Sequence, residues 1–128
     1  KYVNMKSILS SLLLIVSATA FAQDYTTCLA GHCESSTITV SELAGVSSIE
    51  VNQVNPETQV VVSSFVMSVG SKTCSSESAA LSSKCIDRLK SASIGDEIKI
   101  YDIVVVVDEP IGLNAKASEL VLTVVDNP

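Results

Sequence analysis

Tryptophan is absent from this chain, and aromatic residues make up only 4% of its 128 positions. A core must therefore come from Val, Ile and Leu, whose β-branching favours strands and leaves little room for a carved ligand pocket. Sugar-binding surfaces stack ligands on exposed rings. Beyond residue 22 only Tyr25, Phe65 and Tyr101 remain, and Phe65 reads as core. His32 is the single histidine, so a Ser-His-Asp triad would have to use it, and no G-x-S-x-G elbow supports any serine partner. The five glycines are not clustered, so no phosphate-cradling loop is present. Basic residues are also scarce, 8 against 14 acidic, for a net charge of −6. That balance, without a basic patch, argues against nucleic acid and anionic membrane surfaces as partners. The acids are scattered and form no D-x-[DN]-x-[DN]-G calcium loop. Asp96-Glu97 and Asp108-Glu109 are adjacent pairs, and strand neighbours point to opposite faces, so neither suits paired acid–base work. The expectation is no enzymatic activity and no cofactor.

What is present begins with an export pattern. Met5-Lys6 opens a short basic start, Ile8 to Val16 is apolar apart from Ser10 and Ser11, and Ala20-Phe21-Ala22 supplies an Ala-x-Ala exit. This is the form of a secretory signal peptide, too short to span a bilayer, with the cut expected after Ala22. Residues 1–22 are read as upstream sequence plus signal, and the remainder as exported to the periplasm or the medium. Losing Lys1 and Lys6 leaves six basic and 14 acidic side chains, a net of −8 on 106 residues, enough for one domain. No later apolar run is long enough for a membrane span.

Four cysteines, Cys28, Cys33, Cys74 and Cys85, all lie beyond the signal. An even number in an exported chain reads as two disulfides with three possible pairings. The local pairs, Cys28–Cys33 and Cys74–Cys85, are favoured because each brackets a loop-like stretch. Chain-entropy arguments give about 2 and about 3 kcal/mol for the shorter and longer loops. A zinc site would use Cys28, His32, Cys33 and one distant cysteine, but no C-x₂-C pair supports it.

Residues 23–36 read as a polar, irregular, cysteine-bearing arm outside the core, and residues 37–128 as the folded domain. Thr37 to Val40 and Ser47 to Val54 alternate polar and apolar as strands do. Asn55-Pro56-Glu57 is a turn, and Thr58 to Val69 is a strong strand candidate ending before Gly70. Ser71 to Ser83 reads as a long connection. A short helix follows, capped by Ser82 or Ser83, with Cys85, Ile86 and Leu89 on one side. The Cys74–Cys85 bridge would pin its start to the end of the long strand. Glu97 to Val107 is a second strong strand whose inward set switches from Ile98 and Ile100 to Ile103, Val105 and Val107. A β-bulge near Tyr101-Asp102 would produce that switch. Asp108 to Ala117 reads as a hairpin-like loop, and Ser118 to Val125 as the last strand through Leu120, Leu122 and Val124. Five or six strands and one short helix suit an all-β, antiparallel sandwich.

The order of these elements resembles a known family. Ile38-Thr39-Val40-Ser41-Glu42-Leu43-Ala44-Gly45-Val46, then Val60-Val61-Val62-Ser63-Ser64-Phe65, is similar to the C-terminal domain of the gliding-motility proteins GldM (PorM). So is the later run of Ser82-Ser83, a helix ending Leu89-Lys90, and Gly95-Asp96-Glu97-Ile98-Lys99-Ile100-Tyr101-Asp102-Ile103. The likeness covers residues 37–125 and implies an immunoglobulin-like β-sandwich of a Bacteroidetes-type periplasmic machine. The chain departs from that family's anchored, multi-domain stalk in its cleavable signal and its cysteine-bearing arm. The expected function is a non-catalytic protein–protein interaction or structural module, acting on a protein partner or by self-association through a sheet edge that the arm contributes to or shields. The alternative is an extracytoplasmic carbohydrate- or metal-binding domain.

Overall fold

The computed structural model describes residues 25–53, 60–107 and 113–128. The signal segment 1–22, the Asn55-Pro56-Glu57 turn and the Asp108–Gly112 part of the expected loop lie outside the described residues. Among the described residues ten elements follow one another: β1 (Tyr25–Cys28), β2 (Ser36–Thr39), α1 (Val40–Ala44), β3 (Glu50–Gln53), β4 (Val60–Val69), β5 (Lys72–Ser76), α2 (Ser83–Lys90), β6 (Glu97–Val107), β7 (Leu113–Lys116) and β8 (Leu120–Val125).

Two long strands form the centre because the chain supplies unbroken β-branched residues there. β4 and β6 pair antiparallel along their whole lengths. The anticipated face switch is present. Ile98 and Ile100 point inward, then Ile103, Val105 and Val107, and Asp102 between them adopts a left-handed φ of 54°. β4 answers with a slip between Val62 and Ser64, after which Phe65, Met67 and Val69 are buried. Val62 lies opposite Val105 and Val66 opposite Tyr101, so the two irregularities cancel and the register survives. Gly70 and Ser71 turn the chain into β5. The positive φ of 61° at Gly70 suits the primed turns that match the twist of paired strands.

Around this pair the sheet grows to six strands in the order β2-β8-β6-β4-β5, with β7 sharing the β8 flank of β6. β8 lies opposite Glu97–Ile100 and β7 opposite Val104–Val107. β2 pairs with β8 in parallel. The result is a mixed, sheet-dominated domain with two short helices, which corrects the expectation of an all-antiparallel sandwich with one helix. No hairpin joins β2 to β8, so turn geometry does not impose opposite directions on them.

A second layer closes the inner face. It consists of the antiparallel ribbon β1–β3, both helices and the stretches that join them. The arm is therefore not irregular. Tyr25, Cys28 and Leu29 are buried in the core, and β1 aligns Tyr25 to Cys28 with Gln53 to Glu50. Beyond β1 the chain doubles back tightly. Leu29 and His32 exchange backbone bonds of 3.0 and 2.9 Å around Ala30 and Gly31, which both carry positive φ. Ser118 ties this ribbon to the sheet, its N–H donating to Tyr25 O at 2.9 Å while its Oγ accepts from Thr27 N at 3.2 Å.

Three further readings change. Val40 starts α1 instead of ending a strand, because Thr39-Val40-Ser41-Glu42 forms a capping box. Glu42 N donates to Thr39 Oγ1 at 3.3 Å, and Thr39 N donates to Glu42 Oε1 at 3.1 Å. The supposed connection from Ser71 to Ser83 contains β5, whose Cys74 and Ser76 are buried. The expected loop from Asp108 to Ala117 contains β7. α2 forms as read: Ser82 Oγ accepts from Cys85 N, Cys85 and Leu89 are buried, and Arg88 and Lys90 sit in the last turn, where a cation suits the helix dipole.

Candidate interaction surface

Both disulfides join the local pairs, Cys28 to Cys33 and Cys74 to Cys85. Cys28–Cys33 closes the tight turn at the end of β1, whereas Cys74–Cys85 lies in the core. Cys74 sits in the middle of β5 and not at the end of the long strand, so the bridge fastens α2 to β5 across the inner face. Ser76 Oγ accepts from Ser82 N at 2.8 Å, and Ser82 Oγ donates to Ser75 O at 2.9 Å, adding two clasps at the same junction.

The lone histidine joins the disulfide turn to α1. Its Nε2 lies 2.7 Å from Glu42 Oε2. The Thr39 backbone N–H, then the His32 and Thr39 side chains, hold the Glu42 carboxyl below the usual carboxylate range. Of the acidic pairs, Asp96 accepts from Ser93 N at 2.8 Å and so shapes the turn into β6. Asp108 and Glu109 lie outside the described residues. Among the described residues no three His, Cys, Asp or Glu side chains gather to hold a metal ion, and no helix is long and apolar enough to cross a membrane.

The chemistry of the surface concentrates on the outer face of the large sheet. Among the described residues no element covers it. Val66, Val104, Val106, Val121 and Val125 are half-buried by their own strand neighbours, and Val61 is 57% exposed. None of these six packs against the core, unlike Val46, Val51 and Val60, which do. Cross-strand rows organise the face: Ser75, Val66 and Tyr101 form one, and Thr73, Ser68, Lys99 and Val121 the next. Most of its charges are paired, although Glu97, exposed on the same face of β6 as Lys99, takes part in no ion pair among the described residues. Lys99 lies 5.2 Å from the Tyr101 ring centroid and 3.8 Å from Glu119, and Lys116 pairs with Asp102. What remains is a mostly uncharged surface of valine, serine and threonine with one ring and the Glu97 carboxylate.

Reading the sequence for its inward set alone misses this surface, although a signal for it exists. Val104, Val105, Val106 and Val107 are consecutive, and a strand apolar at both parities offers apolar side chains to both faces. No protein-family model matches the chain, and no curated protein matches it either.

Proposed function

We propose that the chain is an exported, non-catalytic protein–protein interaction module that engages its partner through the large sheet. The carrying observation is the uncovered outer face. Half-buried valines in adjacent rows, with Lys99 and Lys116 paired to acidic neighbours, form a surface of the kind that partner contact buries. The two disulfides support export, since such bonds persist in oxidising compartments. The resemblance of residues 37–125 to the GldM C-terminal domain supports a place in a periplasmic assembly.

Two measurements test this. N-terminal sequencing of the exported protein should return Gln23 as the first residue, and a retained Met5 would refute the cleavage site. Cross-linking in the producing cell, followed by sedimentation of the purified chain, should reveal a protein complex or a self-associated form. Val66→Lys with Val104→Lys should abolish it while the melting transition is kept. A complex indifferent to both substitutions removes the outer face from the proposal.

A further inference from the structure

β5 accompanies β4 for only half its length. It pairs with Phe65 to Val69, and past Ser76 the chain leaves the sheet. The departing segment joins the stretch before β3 instead: Ser48 bridges Ala80, Ile49 N donates to Ala79 O at 2.9 Å, and Leu81 N to Ser47 O at 2.9 Å. Val60 to Ser64 therefore have a strand neighbour on the β6 side alone among the described residues. Along that free flank runs a cleft. Val60 to Val62 form its floor, Glu50 to Asn52 of β3 one wall, and Ala79 and Ala80 its end.

An unpaired strand flank presents alternate N–H and C=O groups at the spacing of a sheet ladder, and an extended peptide satisfies them by lying alongside. The walls select what can lie there. Val51, Val61, Ala79 and Ala80 are small or β-branched and apolar, so they favour side chains of the same kind. Among the described residues Glu50 is the one charged side chain that lines the cleft, it is exposed, and it takes part in no ion pair there. In a chain of net charge −6 it adds to a field that favours a cation on the incoming strand.

We infer that the β4 flank from Val60 to Ser64 is a strand-addition site for an extended segment of a partner protein. That segment alternates β-branched residues and carries a basic side chain opposite Glu50. The inference rests on the reading of the chain as an interaction module. It adds a second site, which meets the outer face at Val61, with a defined ligand chemistry. The ribbon β1–β3 supplies the wall that carries Glu50, so the N-terminal cysteine segment shapes the cleft from behind.

The test uses the full oxidised chain and a fluorescein-labelled hexapeptide, Lys-Val-Thr-Val-Thr-Val, followed by anisotropy. A twin peptide N-methylated at the amides of one edge loses several backbone bonds and should bind at least about tenfold more weakly. Glu50→Lys should weaken the lysine peptide about threefold, the scale of one exposed ion pair, and should reverse the preference in favour of a glutamate-headed peptide. Amide exchange by NMR should show alternate amides between Val60 and Ser64 exchanging rapidly in the free chain and slowed by the peptide. No binding, equal binding of the N-methylated twin, or protection of those amides before peptide is added overturns the inference. If it fails while the outer-face substitutions still abolish a complex, the module reading stands without this site. Failure of both removes the module reading as well.

Discussion

Val105 and Val106 are neighbours on β6 with the same side chain, and their surroundings differ completely. Val105 is fully buried, flanked across the strands by Val62 and Ala115 on the face that the ribbon and helices close. Val106 points the other way, flanked by Val61 and Asn114, and is half-buried only by its own sheet. Alternation along a strand assigns each side chain to a face, but it does not decide whether a face is covered. Covering depends on whether another element of the chain comes to lie there, which on the outer face none of the described elements does.

The contrast can be broken most severely from the inside. Phe65 is 1% exposed and the largest of the fully buried side chains. Phe65→Ala should cost about 3–5 kcal/mol in urea unfolding. A loss below about 1 kcal/mol would mean that the inner layer is not packed as described. Next comes the bridge that holds that layer in place. Replacing Cys74 and Cys85 together by alanine should cost about 3 kcal/mol, against about 2 for Cys28 and Cys33, because the longer loop restrains the unfolded chain more. The reverse order in thermal melts would show that the ribbon, and not α2, is the weak attachment.

A sharper comparison uses one substitution at adjacent positions. Val105→Thr places an unpaired hydroxyl in the core and should cost about 1–3 kcal/mol. Val106→Thr should change stability by no more than about 0.5 kcal/mol. Equal costs in denaturant titrations would show that the outer face is covered after all. The last comparison concerns the residue that aligns the two halves of β6. Asp102→Gly should shift stability by about 1 kcal/mol or less, because relief of the left-handed φ offsets the lost Lys116 pair. Asp102→Val should instead destabilise by about 1–2 kcal/mol, since a β-branched side chain resists that conformation. If valine proves as well tolerated as glycine, the face switch does not depend on the left-handed residue.

Much of this architecture was legible from sequence where the deciding interactions are local. The inward set of β6, its switch at Tyr101-Asp102, the inward Leu120, Leu122 and Val124 of β8, the Ser82 cap of α2 and the two disulfides, 5 and 11 residues apart, all follow from residues near one another in the chain. The capping box at Thr39 was equally local. It was hidden because Thr37-Ile38-Thr39-Val40 also alternates as a strand does, and the Glu42 carboxylate decides between the two. β1 and β5 were harder, being short, polar and rich in Thr and Ser. They become strands because distant partners, β3 and β4, satisfy their backbone groups.

By itself, then, the sequence determined that the segments of β4, β6 and β8 extend, which side chains turn inward on β6 and β8, and where α2 is capped and the cysteines bridge. The tertiary structure alone decided that β2 runs parallel to β8, that the cysteine segment joins the core, that β5 abandons β4 halfway, and that none of the described elements covers the outer face of the sheet. Alternation and caps are properties of neighbouring residues. Backbone pairing between remote segments uses N–H and C=O groups that every residue carries alike, so side-chain pattern does not name the partner.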